Sequence, residues 1–419
     1  MRKLFLFLLI VALVAVVAPP AMATNGDNLI GIGPISRGMG GVGIAAPQDA
    51  ISAVFGNPAA MCFGPYCPGS EMNFAGTLFM PNVSASVTTS GLPGASASAD
   101  SDKKVYAIPA IGLSVPITTD WRFGLSAYGV SGLGVDYRNT GIAGTFPAPP
   151  FPAGTPLIAG SDTQLQTMKF APAIAYAVDK NFSVGLALQI DYSSLDLGNG
   201  SSFNYGIGVE LGAIYKPMDM LSIGLTYVTP QSVTYDNVVN FNGSLFGLEL
   251  ASPQQIGLGI AVEPIKDTLL IEVDGKWINW ANAKGYDDFG WKDQWVFGIG
   301  VQYKPIKPLA LRIGYNYANN PVKEHSNFTG TTTTTVQGIP FPTYYYETFR
   351  VIGFPAIVKQ HITFGVGYDI SKRFAVNAGY THAFKEDISE SGTNFAGMPV
   401  TLKSSLYEDS LEFGFTWRF

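Results

Sequence analysis

The chain has 419 residues, of which 13% are charged and 13% aromatic, with 48 glycines and a formal net charge of −6. Twenty-five basic residues against 31 acidic ones, with no clustered basic stripe, exclude nucleic acid as a natural partner. Charged residues are about half as frequent as the ~25% of an ordinary soluble domain, which turns attention to the membrane.

At the start of the chain, Arg2 and Lys3 precede an apolar run from Leu4 to Val17, and Ala21-Met22-Ala23 supplies small residues at a cleavage position. Residues 1–23 therefore read as the signal peptide of an exported protein, and their loss takes the formal net charge from −6 to −8. The run is too short for a transmembrane helix, which needs about 20 apolar residues, and no later stretch supplies one. Any membrane span must be built from strands.

Residues 24–70 carry only three charges, Asp27, Arg37 and Asp49, among Ile30, Ile32, Ile35, Met39, Val42, Ile44, Ile51, Val54, Phe55, Met61 and Phe63. Such an apolar segment is poorly suited to hang in water, and the expectation is a hatch that plugs the lumen of a barrel. Gly38, Gly40 and Gly43 spell a dinucleotide fingerprint, but no strand-then-helix unit surrounds them, so flexible hatch backbone is the preferred reading. Cys62 and Cys67, the two cysteines, stand in an oxidising compartment around a segment that can turn sharply; a small disulfide loop is preferred over free thiols. Without a nearby histidine they do not suggest a metal.

From Glu71 to Phe419 about fourteen segments alternate at period two, an even number as bacterial barrels require. Phe182, Val184, Leu186, Leu188, Ile190 and Tyr192 share one face of a strand, with Ser183, Gly185, Ala187, Gln189 and Asp191 on the other. Trp295 to Tyr303 and Leu309 to Tyr317 repeat the pattern, and Leu411, Phe413, Phe415, Trp417 and Phe419 close the chain with an apolar, aromatic face. A charge on the lipid face costs roughly 2–4 kcal/mol at mid-bilayer, so the polar faces must line the lumen. Short connections near residues 116–120, 178–181, 216–220, 263–267, 304–308 and 369–372 are expected as periplasmic turns. Longer Gly/Ser/Thr-rich links near 81–103, 137–161, 236–252 and 319–355 are expected as extracellular loops. In the third strand Gly124, Gly129, Gly132 and Gly134 follow closely; that density marks either a bulge in the wall or small inward residues making room for the plug.

Gly38-Met39-Gly40-Gly41-Val42-Gly43, then Asn57-Pro58-Ala59-Ala60, Pro253-Gln254-Gln255-Ile256-Gly257-Leu258-Gly259, Trp277-Ile278-Asn279-Trp280, Trp291-Lys292-Asp293-Gln294-Trp295 and Leu311-Arg312-Ile313-Gly314-Tyr315 occur in that order. Through them the chain resembles the FadL-type outer-membrane transporters of long-chain fatty acids and hydrocarbons. The resemblance implies an all-β transmembrane barrel of about fourteen antiparallel strands plugged by an N-terminal hatch. It also implies that Gly40, Gly43, Asn57, Pro58 and Ala59 serve the hatch, and that the Gly-rich third strand opens the wall sideways.

The function implied is passive, hatch-gated uptake of a hydrophobic ligand such as a long-chain fatty acid, released laterally into the outer membrane of a bacterium. Inward positions hold Lys169, Glu210, Glu272, Asp274, Lys276, Arg312 and Glu412, read mainly as a lumen network, with Lys276 or Arg312 as candidates for a ligand head group. His325, His361 and His382 recommend no catalysis, so the chain reads as no enzyme, with no cofactor. Other expected partners are outer-membrane lipid and the barrel-assembly machinery, and a closed barrel of this size can stand as a monomer. The alternative function is a general diffusion porin for small polar solutes.

Overall fold

Alternation of apolar and small or polar residues buries one face of each strand against lumen contents and offers the other to lipid. The computed structural model describes residues 24–419 apart from residues 66, 68 and 242; the signal peptide expected over residues 1–23 lies outside the described residues. Fourteen antiparallel strands form the wall: β1 (Glu71–Thr89), β2 (Tyr106–Pro116), β3 (Trp121–Asp136), β4 (Asp162–Ala177), β5 (Phe182–Asp196), β6 (Ser202–Met218), β7 (Leu221–Val228), β8 (Gln255–Ile265), β9 (Leu269–Ile278), β10 (Gln294–Ile306), β11 (Leu309–Ala318), β12 (Gln360–Asp369), β13 (Phe374–Thr393) and β14 (Pro399–Arg418). β14 pairs with β1, through Arg418 with Glu71 and Tyr407 with Asn82, and closes the barrel without a free edge.

The burial pattern follows the alternation residue by residue. In β5, Val184, Leu186 and Leu188 are exposed while Ser183, Ala187, Gln189 and Asp191 are buried. In β10 Trp295, Phe297 and Ile299 face out. Connections at one end, the turn end, span only residues 117–120, 178–181, 219–220, 266–268, 307–308 and 370–373. Those at the other, the loop end, reach residues 137–161, 229–254, 279–293 and 319–359. Two loop-end connections, 197–201 and 394–398, are as tight as hairpin turns. There β13 and β14, twenty residues each, run on as a ribbon beyond the span a bilayer needs.

Residues 24–63 lie inside the wall. A short hairpin (Thr24–Asn25 with Asn28–Leu29) leads to helix α1 (Gly33–Arg37), then to helix α2 (Ala50–Gly56) and a 3-10 turn (Pro58–Cys62). Asp49 caps α2 by accepting from the Ser52 amide at 2.8 Å, and Asn57 caps the next turn by accepting from the Ala59 amide at 3.1 Å. Ile30, Ile32, Met39, Val42, Ile44, Ile51, Val54 and Met61 are buried.

Candidate functional site

Hatch backbone between Gly43 and Ala46 is irregular, with a bend at Ile44 and Ala45, and has no ladder partner, so its amides need acceptors. Two carboxylates one pleat apart on β9 supply them. Asp274 accepts from Gly43 N at 2.8 Å and Ile44 N at 3.1 Å, and Glu272 accepts from Ala45 N at 2.7 Å and Ala46 N at 3.0 Å. At α1, the buried Arg37 guanidinium meets Glu412 at 2.7 Å and the Ser410 hydroxyl at 2.6 Å. Asn57 Nδ2 donates to Ile44 O at 2.8 Å and to Ala213 O of β6 at 3.1 Å, joining hatch to wall. Gly40, at φ +73°, donates to Thr363 at 2.8 Å and accepts from Asn316 at 3.0 Å, and a Cβ there would sit 2.8 Å from Tyr315 O. Only glycine combines that left-handed backbone with so close an approach to the wall. Pro58 and Ala59 press against Gly185 of β5. The expected disulfide is not formed: Cys62 and Cys67 are free thiols, with Cys67 Sγ turned to the carbonyl oxygen of Cys62 at 3.1 Å.

The third strand divides its glycines between two tasks. Gly124 faces inward, where a Cβ would meet Met61 and Val54 of the hatch, the latter at 2.9 Å. Gly129 instead precedes a bulge, the register to β4 shifting between Gly129 and Ser131. The β2 to β3 ladder runs from Pro116 and Arg122 up to Ala110 and Tyr128 and ends there. Above it β2 stays with β1 as far as Tyr106, and β3 stays with β4 as far as Asp136. A bulge adds twist, and the two strands part. The gap holds a cavity of about 170 Å³ lined by Leu29, Phe79, Tyr106, Ile108, Gly129 and Met168. Gly132 and Gly134 lie above the bulge, Gly134 beside the Tyr106 hydroxyl.

The N-terminal hairpin reaches this gap. Asn28 bridges to Ser131, and Gly132 N donates to Asp27 O at 3.2 Å. The Asp27 carboxylate accepts from the Tyr286 hydroxyl. Tyr286 packs against Trp280 and Trp291 with ring centroids 4.6 and 4.8 Å away.

Tyr286 and Trp291 also line a small cavity of about 30 Å³ at the loop end. It shares Leu197, Leu248, Phe289 and Phe349 with an outer cavity of about 130 Å³, bounded further by Phe341 and Tyr345. Leu195, which lines the small cavity, is the register partner of Leu165, which lines the wall gap. Both belong to one apolar cluster with Ile30, Trp280 and Tyr286. The loop-end pocket and the wall gap are thus separated by apolar side chains and the N-terminal hairpin.

Polar groups sort by depth. Lys169 pairs with Asp191 at 2.9 Å and donates to Gln231 at 2.6 Å, and Gln189 donates to Glu210 at 2.9 Å. Lys276, two residues from the loop end of β9, stands over the Phe55 ring, 5.9 Å from its centroid. Arg312 is separated from it, bonded to Gln302 at 2.7 Å and Asn377 at 3.0 Å beside a cavity at the turn end. His361 is buried inside and His382 meets Asp409 at 3.1 Å on the outer wall. His325 meets Glu347 at 2.9 Å in the loop-end cap.

His325, Glu347 and Glu390 converge closely enough to hold a cation, but the Arg350 guanidinium already joins Glu347 at 2.6 Å and Glu390 at 3.1 Å. It also donates to Phe289 O at 2.8 Å and to Lys323 O, tying the connections over residues 279–293 and 319–359 to each other and to β13. Burial pushes the Glu390 carboxyl up to about 7, with Arg350 opposing the shift.

Asp27, Tyr286 and Arg350 escaped sequence reasoning. Trp280 and Trp291, which frame Tyr286, belong to the motifs already singled out, and Asp27 is one of three charges in an apolar segment. Only the fold brings them together.

Among known proteins, residues 21–204 match the model of a family described as outer membrane protein transport protein (OMPP1/FadL/TodX). No curated protein sequence matches the chain. The fold is similar to that of the Pseudomonas putida toluene transporter TodX, at 19% identity over 94% of this chain and 99% of that one, with a TM-score of 0.66. A Pseudomonas aeruginosa FadL homologue is similar at 15% identity over 95% and 99%, TM-score 0.64. The Ralstonia pickettii toluene transporter TbuX is similar at 17% identity over 94% and 99%, TM-score 0.58.

Proposed function

We propose that this barrel, whose residues 21–204 match the outer membrane transport family OMPP1/FadL/TodX and whose fold is that of FadL-type barrels, carries small apolar molecules from its loop end to the gap between β2 and β3 and out into the bilayer. The observation that supports this reading is the pairing of Leu195, which lines the loop-end pocket, with Leu165, which lines the wall gap, so that only apolar side chains and the N-terminal hairpin stand between the two. Residues 24–63 act as the hatch, denying the straight route through the lumen. Passage is passive and runs down the concentration gradient.

Compact hydrocarbons fit best. The cavities of about 130 and 170 Å³ bracket the ~150 Å³ of an apolar cavity known to take up benzene. Two of the similar structures are named as toluene transporters. A long-chain fatty acid is the second reading, supported by Lys276, whose ammonium stands over the hatch residue Phe55 toward the loop end of β9 and free of any ion pair among the described residues. Each buried methylene contributes ~0.8 kcal/mol, against ~1.5–3 for a charged hydrogen bond, so the lining sets affinity in either case. A porin for polar solutes finds no support in a lumen filled with buried isoleucine, valine and methionine.

The test is uptake by liposomes carrying the purified protein, with labelled toluene, a labelled long-chain fatty acid and glucose run in parallel. Saturable toluene uptake without glucose entry supports the proposal. Fatty acid uptake alone selects the second reading, and rapid glucose entry returns the porin.

A further inference from the structure

Thr24, where the expected cleavage would leave the new chain start, lies inside the barrel at 1% exposure. Its hydroxyl reaches both oxygens of the Glu408 carboxylate, at 3.0 and 2.8 Å, and its backbone nitrogen bonds the same group. Glu408 is 2% exposed and has no ion-pair partner among the described residues. The neighbouring Arg37 guanidinium is bonded to Glu412 and Ser410. One guanidinium, already bonded to Glu412, thus stands beside two buried carboxylates, and Glu408 is left without a cation of its own. On β12, the fully buried His361 adjoins the Thr24 backbone with neither ring nitrogen in a well-formed hydrogen bond. A buried carboxylate without a cation is costly.

We infer that hydrolysis of the Ala23–Thr24 peptide bond creates the missing cation, an α-ammonium on Thr24 that pairs with Glu408 and seats the N-terminal hairpin. Water adds across the bond under an envelope leader peptidase: its oxygen stays on the Ala23 carbonyl as carboxylate, and its protons go to the Thr24 nitrogen. Cleavage supplies one unit of positive charge at the point where the lumen lacks it. The hairpin so anchored carries Asp27 and Asn28, which hold Tyr286 and β3, so maturation also completes the closed state of the wall gap.

The experiment is amine acylation of the mature protein, purified from outer membranes in detergent, read by intact mass and peptide mapping. The intact mass is expected to begin at Thr24. An exposed α-amine reacts faster than lysine, because its ordinary pKa is about 8 against ~10.4. In the folded protein Thr24 is instead expected to react at least about tenfold more slowly than the exposed Lys385, which serves as internal control. Glu408→Gln is expected to raise Thr24 acylation several-fold with Lys385 unchanged and the folded mobility on gels kept. Should that variant fail to fold, one alanine inserted before Thr24 moves the ammonium by about 3.8 Å and is expected to remove the protection. A chain start elsewhere, Thr24 acylation at the Lys385 rate, or protection that survives both changes would overturn the inference.

Discussion

At the scale of the residue, the informative positions are those where a side chain has no room. Gly129 borders the wall gap, and any side chain there runs into Ile108 and approaches Met168. Gly129→Leu is expected to close the gap and to cut hydrocarbon uptake several-fold, with binding at the loop end retained and a stability cost of about 1–3 kcal/mol from overpacking. Equilibrium binding and liposome uptake on the same preparation separate the two effects. Gly124→Leu acts elsewhere, against Met61 and Val54 of the hatch, so its expected result is displacement of the hatch and raised leak. Period-two reading found all four glycines of β3 but could not divide them, because the division depends on which neighbour faces each one across the lumen.

At the scale of the element, the hatch is held to the wall by charge. Arg37 and Glu412, both fully buried, form an ion pair between hatch and wall, and removing one partner of such a pair strands the other at a cost of about 3–5 kcal/mol. Glu412→Ala is accordingly expected to loosen α1 and raise single-channel conductance in planar bilayers, while the wall stays closed through β14 and β1. The loop-end cap is an element with its own pH response. Glu390 is raised from an ordinary 4.5 to about 7 by burial, so the folded cap favours its neutral form. That contribution is present in full below pH ~4.5 and is lost as pH rises through about 7. Proteolysis of residues 319–359 should therefore quicken between pH 5 and 8, and Glu390→Gln should flatten the trend; an unchanged slope would remove Glu390 from the account.

At the scale of the whole molecule, the wall and its contents are separable. The wall closes through β14 and β1 without the hatch, so deleting residues 24–63 is expected to leave a folded barrel with a conductance far above that of the intact protein. Unchanged conductance would show that the hatch does not block the lumen. Much of this architecture is determined by the sequence alone, because the side-chain period of a strand is two and a lipid-facing charge is penalised at every turn of the pattern. The start of the first strand at Glu71, the outward aromatic face ending at Phe419 and the short turns gathered at one end all follow from that local rule. The ribbon of β13 and β14 beyond the membrane did not, since polar alternation there has no lipid to answer to. What only the tertiary structure decided are the meetings between distant segments, such as Asp27 with Tyr286 and Arg350 with Glu390, and the unbonded state of Cys62 and Cys67. The physical reason is that a barrel fixes height and facing for each strand locally, while which side chains share its interior depends on how the hatch and loops pack within it, and no periodicity along the chain encodes that.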